Sequence, residues 1–348
     1  MSEITRIAID TSKAFFALHA VDAAGRTVFR RGLRRPQFEA FFEKQAAVEV
    51  VLEACGGSHH WGRWLAKLGH RVRLIPPQYV KPFVKRAKND RNDAEAISVA
   101  ASQPSIGSVP VKSAEAQAAA MLLSARELLV RQRTQLANAL RGHATELGMV
   151  APIGNKGLTC LRGEVATADE ALVPPAAKQA LKLLGREIDR IEASLVEIDA
   201  RLKQQFATDT LARKLARVPG IAPITALNLS LRVDAGQFKS GRHFAAWLGL
   251  VPRQNSTGGK TRLGRITKAG NQEIRRLLVL GATSMVHRAD GWNSATGAWL
   301  RTILERRPVR LVTVALANKM ARIAWAVMTR KEVYRPKEGV AAAAQATA

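Results

Sequence analysis

The chain has 348 residues, of which 47% are apolar, and its 54 Lys and Arg residues against 28 Asp and Glu give a formal net charge of +26. The length predicts two domains, or one domain with extensions, and so positive a chain is expected to bind a polyanion, with nucleic acid the first candidate and a membrane surface the second. No apolar run approaches the ~20 residues of a membrane-spanning helix, and the two cysteines, Cys55 and Cys160, form neither a metal-binding spacing nor a disulfide framework.

Residues 1–110 predict an α/β domain. Short strands are expected at 5–10, at 15–21 and from 27 onward, with a turn at 22–25 between the second and third. A helix at 36–45, a buried strand at 48–53, a helix at 61–69, a strand at 71–76 and a helix at 93–101 follow. Three antiparallel strands followed by helix, strand, helix, strand and helix is the element order of the ribonuclease-H-like fold.

Residues 111–208 predict a helical coiled-coil or linker region. An Ala- and Leu-rich helix pattern covers 113–147, and several Gly and Pro residues predict irregular structure at 148–175. A seam with spacing 3-4-3-4-3-4 follows at Leu181, Leu184, Ile188, Ile191, Leu195, Ile198 and Leu202. This heptad pattern favours a coiled coil, either as an antiparallel hairpin within the chain or with another chain. The alternative is a helix packed on its own domain.

Residues 209–335 predict a basic, mainly α C-terminal domain, and 336–348 a disordered tail. The stretch LARVPGIAPITALNL at 215–229 resembles a helix-hairpin-helix, whose Gly-containing turn holds a DNA phosphate through backbone N–H groups. Gly220 is therefore a candidate nucleic-acid contact. Ala222 stands where that pattern usually has a second glycine, so a purely structural hairpin remains the alternative.

The segment VPRQNSTGGKTRLGRITKAGN at 251–271 predicts a flexible basic loop around Ser256. Its candidate nucleic-acid contacts are Arg253, Lys260, Arg262, Arg265 and Lys268, and an earlier basic run adds Lys85 and Lys88. A serine in such surroundings either binds phosphate or, when activated, attacks it. Composition alone does not distinguish a nucleophile from a turn serine.

Four acidic residues occupy positions that a ribonuclease-H-like fold brings together. Asp10 ends the first strand, Glu53 ends the fourth, and Asp90 and Asp93 lie three residues apart at the start of the last helix of the domain. Carboxylates gathered in one pocket repel each other unless a cation holds them, and hard oxygen ligands suit Mg²⁺ or Mn²⁺. Two such ions about 3.5–4 Å apart can bind the attacking and leaving oxygens of a phosphodiester.

Each acid also has a structural explanation. Asp90 or Asp93 can cap a helix N-terminus, and an Asp at a strand end is often a turn residue. The combination of all four acids in this element order, within so basic a chain, favours the metal site. His59 and His60 follow Glu53 closely. Packing or a surface position is the expected role for both, and contact with substrate phosphate or orientation of a ligand is the alternative.

The motifs together resemble those of a known family. They are Asp10 in IAIDTSK, Glu53 in VLEACGGSHHW, the DxxDA of Asp90 and Asp93, and the Ser256 loop, in this order over roughly residues 5–330. The chain thereby resembles the insertion-sequence transposases that pair an N-terminal DEDD, RuvC-like domain with a C-terminal serine domain, the bridge-RNA-guided recombinases.

This resemblance implies a site, a cofactor and partners. Asp10, Glu53, Asp90 and Asp93 would bind Mg²⁺, and Ser256 would form a covalent phosphoserine link to DNA in a composite site between protomers of a dimer or tetramer. A structured RNA would pair with donor and target DNA and choose the sequence. Counting along the loop from its proline favours Thr257, whereas counting back from Lys268 favours position 256, which alone is a serine. Thr257 remains the alternative hydroxyl.

Three functions follow as hypotheses. The first is a serine- and Mg²⁺-dependent, RNA-guided DNA transposase. The second is a metal-dependent endonuclease or junction resolvase in which water attacks, and the third is a non-catalytic nucleic-acid-binding protein. Because the N-terminus MSEITRIAID shows no basic segment followed by an apolar one, we expect a cytoplasmic, nucleoid-associated protein.

Overall fold

The computed structural model describes residues 3–84, 90–292 and 294–336, with the backbone alone for residues 90 and 91. The chain divides into two compact units. The first comprises Met1–Gln117 and Asp234–Lys239, and the second comprises Ala118–Val233 and Ser240–Ala348. Except for Pro336, the tail predicted at 336–348 lies outside the described residues.

The first unit is a mixed α/β domain whose elements follow the predicted order, with one short helix at Pro77–Val80 that was not predicted. The elements are β1 (Arg6–Thr11), β2 (Phe15–Val21), β3 (Thr27–Arg34), α1 (Arg35–Lys44), β4 (Glu49–Glu53), α2 (Ser58–Lys67), β5 (Arg71–Ile75), α3 (Pro77–Val80) and α4 (Asp90–Ser102). Short 3-10 turns lie at Lys81–Phe83 and Ala235–Gln237. The helices begin or end within three residues of their predicted positions.

The five strands form one sheet in the order β3-β2-β1-β4-β5. The pairs β1–β2 and β2–β3 are antiparallel, whereas β1–β4 and β4–β5 are parallel. In the parallel pair β1–β4, Ile9 lies opposite Leu52. The next residues along these strands are Asp10 and Glu53, so both acids lie at the same edge of the sheet.

Both faces of the sheet are covered by helices, because apolar side chains along each strand point alternately to one face and to the other. Ile7, Ile9 and Leu52 point to the face covered by α1 and α2, where Phe38 and Trp61 are buried. The residues between them, Ala8 and Val51, pack with Ala96, Ile97, Ala100 and Ala101 of α4 on the opposite face. Because side chains alternate along a strand, Asp10 and Glu53 share the α4 face with Ala8 and Val51.

Three helices form the middle of the chain: α5 (Ala114–Thr145), α6 (Asn155–Thr167) and α7 (Pro175–Thr208). Arg126 pairs with Asp199, and Arg133 with Glu192, so α5 and α7 run antiparallel within the chain. The heptad residues Leu181, Ile188, Leu195 and Leu202 are buried. Both observations agree with the antiparallel hairpin within the chain, which is one of the two pairings that the heptad pattern allowed.

Helix α6 lies in the stretch that the sequence predicts to be irregular, so that prediction was wrong. Gly157 misleads the prediction because glycine usually breaks helices. In the folded chain it has a packing role, since a Cβ at this position would collide with the backbone carbonyl of Pro152. The glycine therefore allows the first turn of α6 to approach the preceding loop.

The rest of the second unit is mainly helical, as predicted, with one small sheet. Its elements are α8 (Thr210–Leu215), α9 (Pro223–Arg232), α10 (Gly241–Trp247), β6 (Pro252–Gln254), β7 (Leu263–Ile266), α11 (Gln272–Val286), α12 (Ala295–Leu304) and α13 (Val309–Arg330), with a 3-10 turn at Ala289–Gly291. Strands β6 and β7 pair antiparallel. The predicted flexible loop around Ser256 is therefore the end of a β-hairpin.

Helix α13 corrects the expectation that no apolar segment approaches spanning length. By length and composition its 22 residues could cross a membrane, and half of its most apolar window is buried inside the chain. The buried side includes Leu316, Met320 and Val327, and α13 packs against α10 and α11. These contacts are those of the core helix of a globular unit, which passes the same length and composition test.

Candidate active site

Three carboxylates converge at one edge of the first unit. Asp10 lies near the end of β1, Glu53 ends β4, and Asp93 lies in the first turn of α4. All three are half-buried. The parallel register of β1 and β4 aligns the first two, and the packing of α4 on the same face of the sheet supplies the third.

The electrostatics of Glu53 show that these acids interact. Burial raises the pKa of the Glu53 carboxyl, and the negative charges of Asp10 and Asp93 raise this pKa further. The ionised cluster is therefore unfavourable without a compensating cation. Helix α4 begins at Asp90, as the motif requires, but the Asp90 side chain lies outside the described residues, as do Lys85 and Lys88.

The donor chemistry of the cluster fits a hard divalent cation. Carboxylate oxygens are the ligands that Mg²⁺ and Mn²⁺ prefer. Among the described side chains, however, no group of three or more His, Cys, Asp and Glu residues is arranged so that it could hold a metal ion. The four predicted ligands therefore stay a prediction, to which the structure contributes the convergence of Asp10, Glu53 and Asp93.

The neighbouring histidines have different surroundings. Nδ1 of His59 accepts a hydrogen bond from the backbone N–H of Lys112 at 3.2 Å. Burial lowers the pKa of His59, and the charges of Lys112 and Arg63 lower it further, so the ring is suited to this neutral acceptor role. His60 is exposed, with its ring edge-to-face against Trp61. Both positions agree with the expected packing or surface roles.

Ser256 lies near the end of the β6–β7 hairpin. Its Oγ accepts a hydrogen bond from the backbone N–H of Arg262 at 3.2 Å, and the adjacent Asn255 N–H donates to the Arg262 carbonyl at 2.9 Å. Because Oγ accepts this bond, the hydroxyl proton of Ser256 remains available for donation. The hairpin therefore presents an exposed serine hydroxyl held to the backbone of the opposite strand.

Two glycines close the hairpin. Gly258 has φ of 54° and Gly259 has φ of 76°, and the N–H of Lys260 donates to the carbonyl of Thr257 at 3.0 Å. Two central residues with positive φ are the requirement of a type I′ turn, whose twist matches that of paired strands. The Gly-Gly pair that suggested flexibility in the sequence thus determines a specific turn.

The basic residues of the hairpin are on the surface. The predicted nucleic-acid contacts Arg253, Lys260, Arg262, Arg265 and Lys268 are all exposed. Lys268 has φ of 56°, and its N–H donates to the carbonyl of Gly249 at 3.2 Å, which turns the chain out of β7. The five positive side chains therefore accompany Ser256 on one short exposed segment.

Gly220 has a packing role in the turn between α8 and α9. Its φ is +82°, and an added Cβ would collide with the sulfur of Met285 and lie 2.7 Å from Cε of Met320. From the other side, a Cβ on Gly281 would collide with the carbonyl of Gly220. The turn is thus pressed against α11 and α13, while a phosphate contact at Gly220 stays a prediction.

Comparison with known proteins identifies the same two segments. A family model described as Transposase IS116/IS110/IS902 family matches residues 212–297, which include Ser256 and the hairpin. A second model, a DEDD transposase of the IS110 type, matches residues 7–149, which include the acids.

Similar proteins cover nearly the whole chain. A putative transposase of Sinorhizobium fredii is 47% identical, over 98% of this chain and 88% of its own length. A probable family 20 transposase of Pseudomonas aeruginosa is 44% identical, over 96% of this chain and 99% of its own length. The transposase for insertion sequence element IS1328 of Yersinia enterocolitica is 37% identical, again over 96% of this chain and 99% of its own length. The chain belongs to the IS116/IS110/IS902 family of insertion-sequence transposases, enzymes that recombine DNA, and it carries their DEDD domain, which suggests the use of a divalent metal.

Proposed function

We propose that this transposase cuts and rejoins DNA strands with a Mg²⁺-binding acidic set and a serine nucleophile, guided by a structured RNA. The acidic set is Asp10, Glu53, Asp90 and Asp93, and the nucleophile is Ser256. The observation that carries the proposal is the placement of Asp10, Glu53 and Asp93 at one edge of the sheet, by the parallel register of β1 and β4 and the packing of α4. The raised pKa of Glu53, caused by its burial and by the nearby charges of Asp10 and Asp93, supports it. Acids that are costly to ionise together are typical of a catalytic or metal-binding site.

The proposed fold of the first unit is ribonuclease-H-like, of the RuvC type. Three antiparallel strands followed by two parallel strands, in the order β3-β2-β1-β4-β5, support this assignment. Such a sheet brings the ends of β1 and β4 together beneath the start of α4. The fold alone does not assign a function, and it is the acids that support the proposed chemistry.

The proposed metal ligands are Asp10, Glu53, Asp90 and Asp93. When bound, Mg²⁺, or Mn²⁺ as a substitute, would neutralise charge that develops on the phosphodiester oxygens. The protein contributes the placement of the carboxylates by two parallel strands and one helix end. Because the described carboxylates raise the pKa of Glu53, cation binding would relieve a repulsion that exists within the folded unit.

In the proposed chemical step, Oγ of Ser256 attacks the DNA phosphorus. The Oγ–P bond forms while the bond from phosphorus to the leaving strand oxygen breaks, the serine proton passes to solvent, and the leaving oxygen takes a proton. Attack by another strand's hydroxyl on the phosphoserine then restores the serine and joins the strands. One phosphoester bond is exchanged for another in each step, so no external energy source is needed.

The proposed partners are donor and target DNA, a structured guide RNA, and other copies of the chain in a dimer or tetramer. The net charge of +26 supports a polyanionic partner. We assign Arg253, Lys260, Arg262, Arg265, Lys268, Lys85, Lys88 and Gly220 to nucleic-acid contact. The proposed location is the bacterial cytoplasm, with the nucleoid.

A covalent-adduct assay tests the nucleophile. Purified protein is incubated with cognate DNA, RNA and Mg²⁺, and a protein–DNA adduct is sought on a denaturing gel. Ser256→Ala should abolish the adduct, whereas the matched variant Thr257→Ala should retain it. Asp10→Asn should abolish adduct formation and leave DNA binding within about threefold of wild type, because a neutral isostere removes no phosphate contact.

The same assay separates the alternatives. Cleavage without any adduct would replace the serine mechanism with attack by water, as in a metal-dependent endonuclease or resolvase. An adduct retained by Ser256→Ala and lost in Thr257→Ala would move the nucleophile to Thr257. Mass spectrometry of the linked peptide would identify the modified hydroxyl directly.

A further inference from the structure

A groove on the second unit combines aromatic rings with positive charge. Its volume is about 760 Å³, and residues of α10, α12 and α13 line it. The side chains that define it chemically are Arg242, Trp299, Lys319, Arg322 and Trp325. None of them belongs to the acidic cluster or to the β6–β7 hairpin.

The positive charge in this groove has no acidic counterpart among the described residues that line it. The Nζ atom of Lys319 lies 4.6 Å from the ring centroid of Trp299, a cation–π contact. Burial lowers the pKa of Lys319, and the like charge of Arg322, one turn further along α13, lowers it again. Arg242 and Arg322 are exposed at the opening. Adjacent cations of this kind favour an anionic ligand.

Aromatic residues are concentrated here although they are only 5% of the chain. An adjoining cavity of about 250 Å³ shares Lys319 and Ile323 with the groove, and Trp292 and Tyr334 line it. Three of the chain's six tryptophans, Trp292, Trp299 and Trp325, thus line two neighbouring cavities. All three are half-buried, as expected of rings that leave part of their surface accessible.

We propose that this groove binds unpaired nucleotides of a DNA strand. Bases would stack on Trp299 and Trp325, and phosphates would contact Arg242, Lys319 and Arg322. A recessed ring can stack on a base only when that base is unpaired, which favours a single strand over a duplex. The inference rests on the family's action on DNA and is independent of the proposed serine chemistry.

Binding measurements on the full-length protein test this assignment. A fluorescently labelled oligothymidine of about 12 nucleotides is titrated in EDTA and compared with a duplex of the same length. Trp299→Leu should weaken single-strand binding about tenfold and change duplex binding by less than about twofold. Trp299→Phe keeps an aromatic ring, so it should bind the single strand within about threefold of wild type.

A charge variant on the exposed edge gives a second readout that does not depend on core packing. Arg322→Gln should reduce the slope of log affinity against log salt for the single strand by about 0.7. The matched control is Arg310→Gln, since Arg310 is also exposed on α13 but does not line the groove. The control should change the slope by less than half as much.

Several results would overturn the assignment. One is single-strand affinity that stays unchanged in both Trp299→Leu and Arg322→Gln. Another is a loss of duplex binding in these variants equal to their loss of single-strand binding. A third is an effect of Trp299→Leu on the binding of RNA oligonucleotides alone. Thermal unfolding of each variant checks the fold. If Trp299→Leu does not fold, the comparison of the salt slopes of Arg322→Gln and Arg310→Gln decides whether the groove binds the single strand. Because no DNA is cut in EDTA, loss of the serine mechanism would leave these results unaffected.

Discussion

Asp10 and Glu53 lie at adjacent positions on the parallel strands β1 and β4, and after burial the charge of Asp10 is the largest cause that raises the pKa of Glu53. This relationship connects the fold to the proposed chemistry, because the repulsion exists before any cation or DNA binds. A site that is strained by its own charges favours a cation that relieves the strain.

The first prediction concerns this repulsion. Glu53→Gln should raise Tm at pH 7 in EDTA by roughly 1–2 °C, because it removes a charge that is costly in the folded state. A carboxyl with a raised folded-state pKa destabilises the fold when it is ionised, so the advantage of Gln should shrink as pH falls through that pKa. Calorimetry at several pH values measures this effect.

Glu43→Gln is the matched control for the Glu53 experiment, since Glu43 is exposed on α1. It should leave Tm unchanged at every pH. Adding Mg²⁺ should reverse the order of the two Tm values. The wild type should then have a higher Tm than Glu53→Gln, because it can bind the cation. A lower Tm for Glu53→Gln in EDTA would contradict the proposed repulsion.

The second prediction concerns Glu49, at the opposite end of β4. Its side chain is 7% exposed, and it pairs with Arg6 at 2.5 Å, Arg71 at 3.0 Å and Arg73 at 3.4 Å. Glu49→Gln should cost about 2 kcal/mol of unfolding free energy, because it leaves three cations without their partner. Urea unfolding at pH 7 measures the change.

The contribution of Glu49 to the unfolding free energy should depend on pH in a defined direction. Burial alone would raise the pKa of Glu49, but the hydrogen bond and charge of Arg6, with the charges of Arg71 and Arg73, lower it overall. The contribution to stability is therefore present above the unfolded-state pKa and lost as pH falls through the folded-state pKa. Glu197→Gln is the control, because Glu197 forms an exposed pair with Arg201, and it should cost less than about 0.5 kcal/mol of unfolding free energy. Equal losses in Glu49→Gln and Glu197→Gln would contradict the stabilising role of Glu49.

The third prediction concerns the turn that presents Ser256. Gly258→Ala should destabilise the hairpin by about 1 kcal/mol because alanine disfavours its positive φ, although no atom lies within 4 Å of the new Cβ. Gly258→Asn should retain more of the structure, since Asn tolerates this conformation. Hydrogen exchange of the Lys260 amide, which donates to Thr257, reports the difference. Equal exchange in all three proteins would contradict the turn assignment.

The fourth prediction concerns the surface of the hairpin. Arg262→Gln and Arg265→Gln should weaken duplex DNA binding at all sequences, and each should reduce the salt slope by about 0.9. Lys260→Gln should behave similarly, because all three cations are exposed. Arg26→Gln is the control, since Arg26 pairs with Asp22 in the first unit. A slope that all three hairpin variants leave unchanged would show that the hairpin does not hold phosphate.

The sequence predicted the first unit well because each of its elements has a strong local pattern. Alternation in β1 and β2 and the continuous apolar run of β4 reflect a sheet covered on both faces. The positions of Asp10, Glu53 and Asp93 followed from element order alone. Their mutual repulsion needed three-dimensional structure, because register and helix packing determine it.

The hairpin and the aromatic groove were harder to predict for physical reasons. Strands β6 and β7 are mostly exposed on both faces, so no apolar alternation marks them. Trp299 and Trp325 lie on different helices, and only the packing of α12 and α13 brings them to one groove. A possible signal was the spacing of Lys319, Arg322 and Trp325, which places cations and an aromatic ring on consecutive turns of one helix.

A crystal structure of the protein grown with Mn²⁺, with anomalous scattering recorded at the manganese edge, would test the proposed metal site without relying on activity. We expect an anomalous peak bound by Asp10, Glu53 and Asp93, with Asp90 completing the set, and loss of the peak in Asp10→Asn. Carboxylates that point to separate places with no manganese between them at saturating concentration would contradict the proposed site.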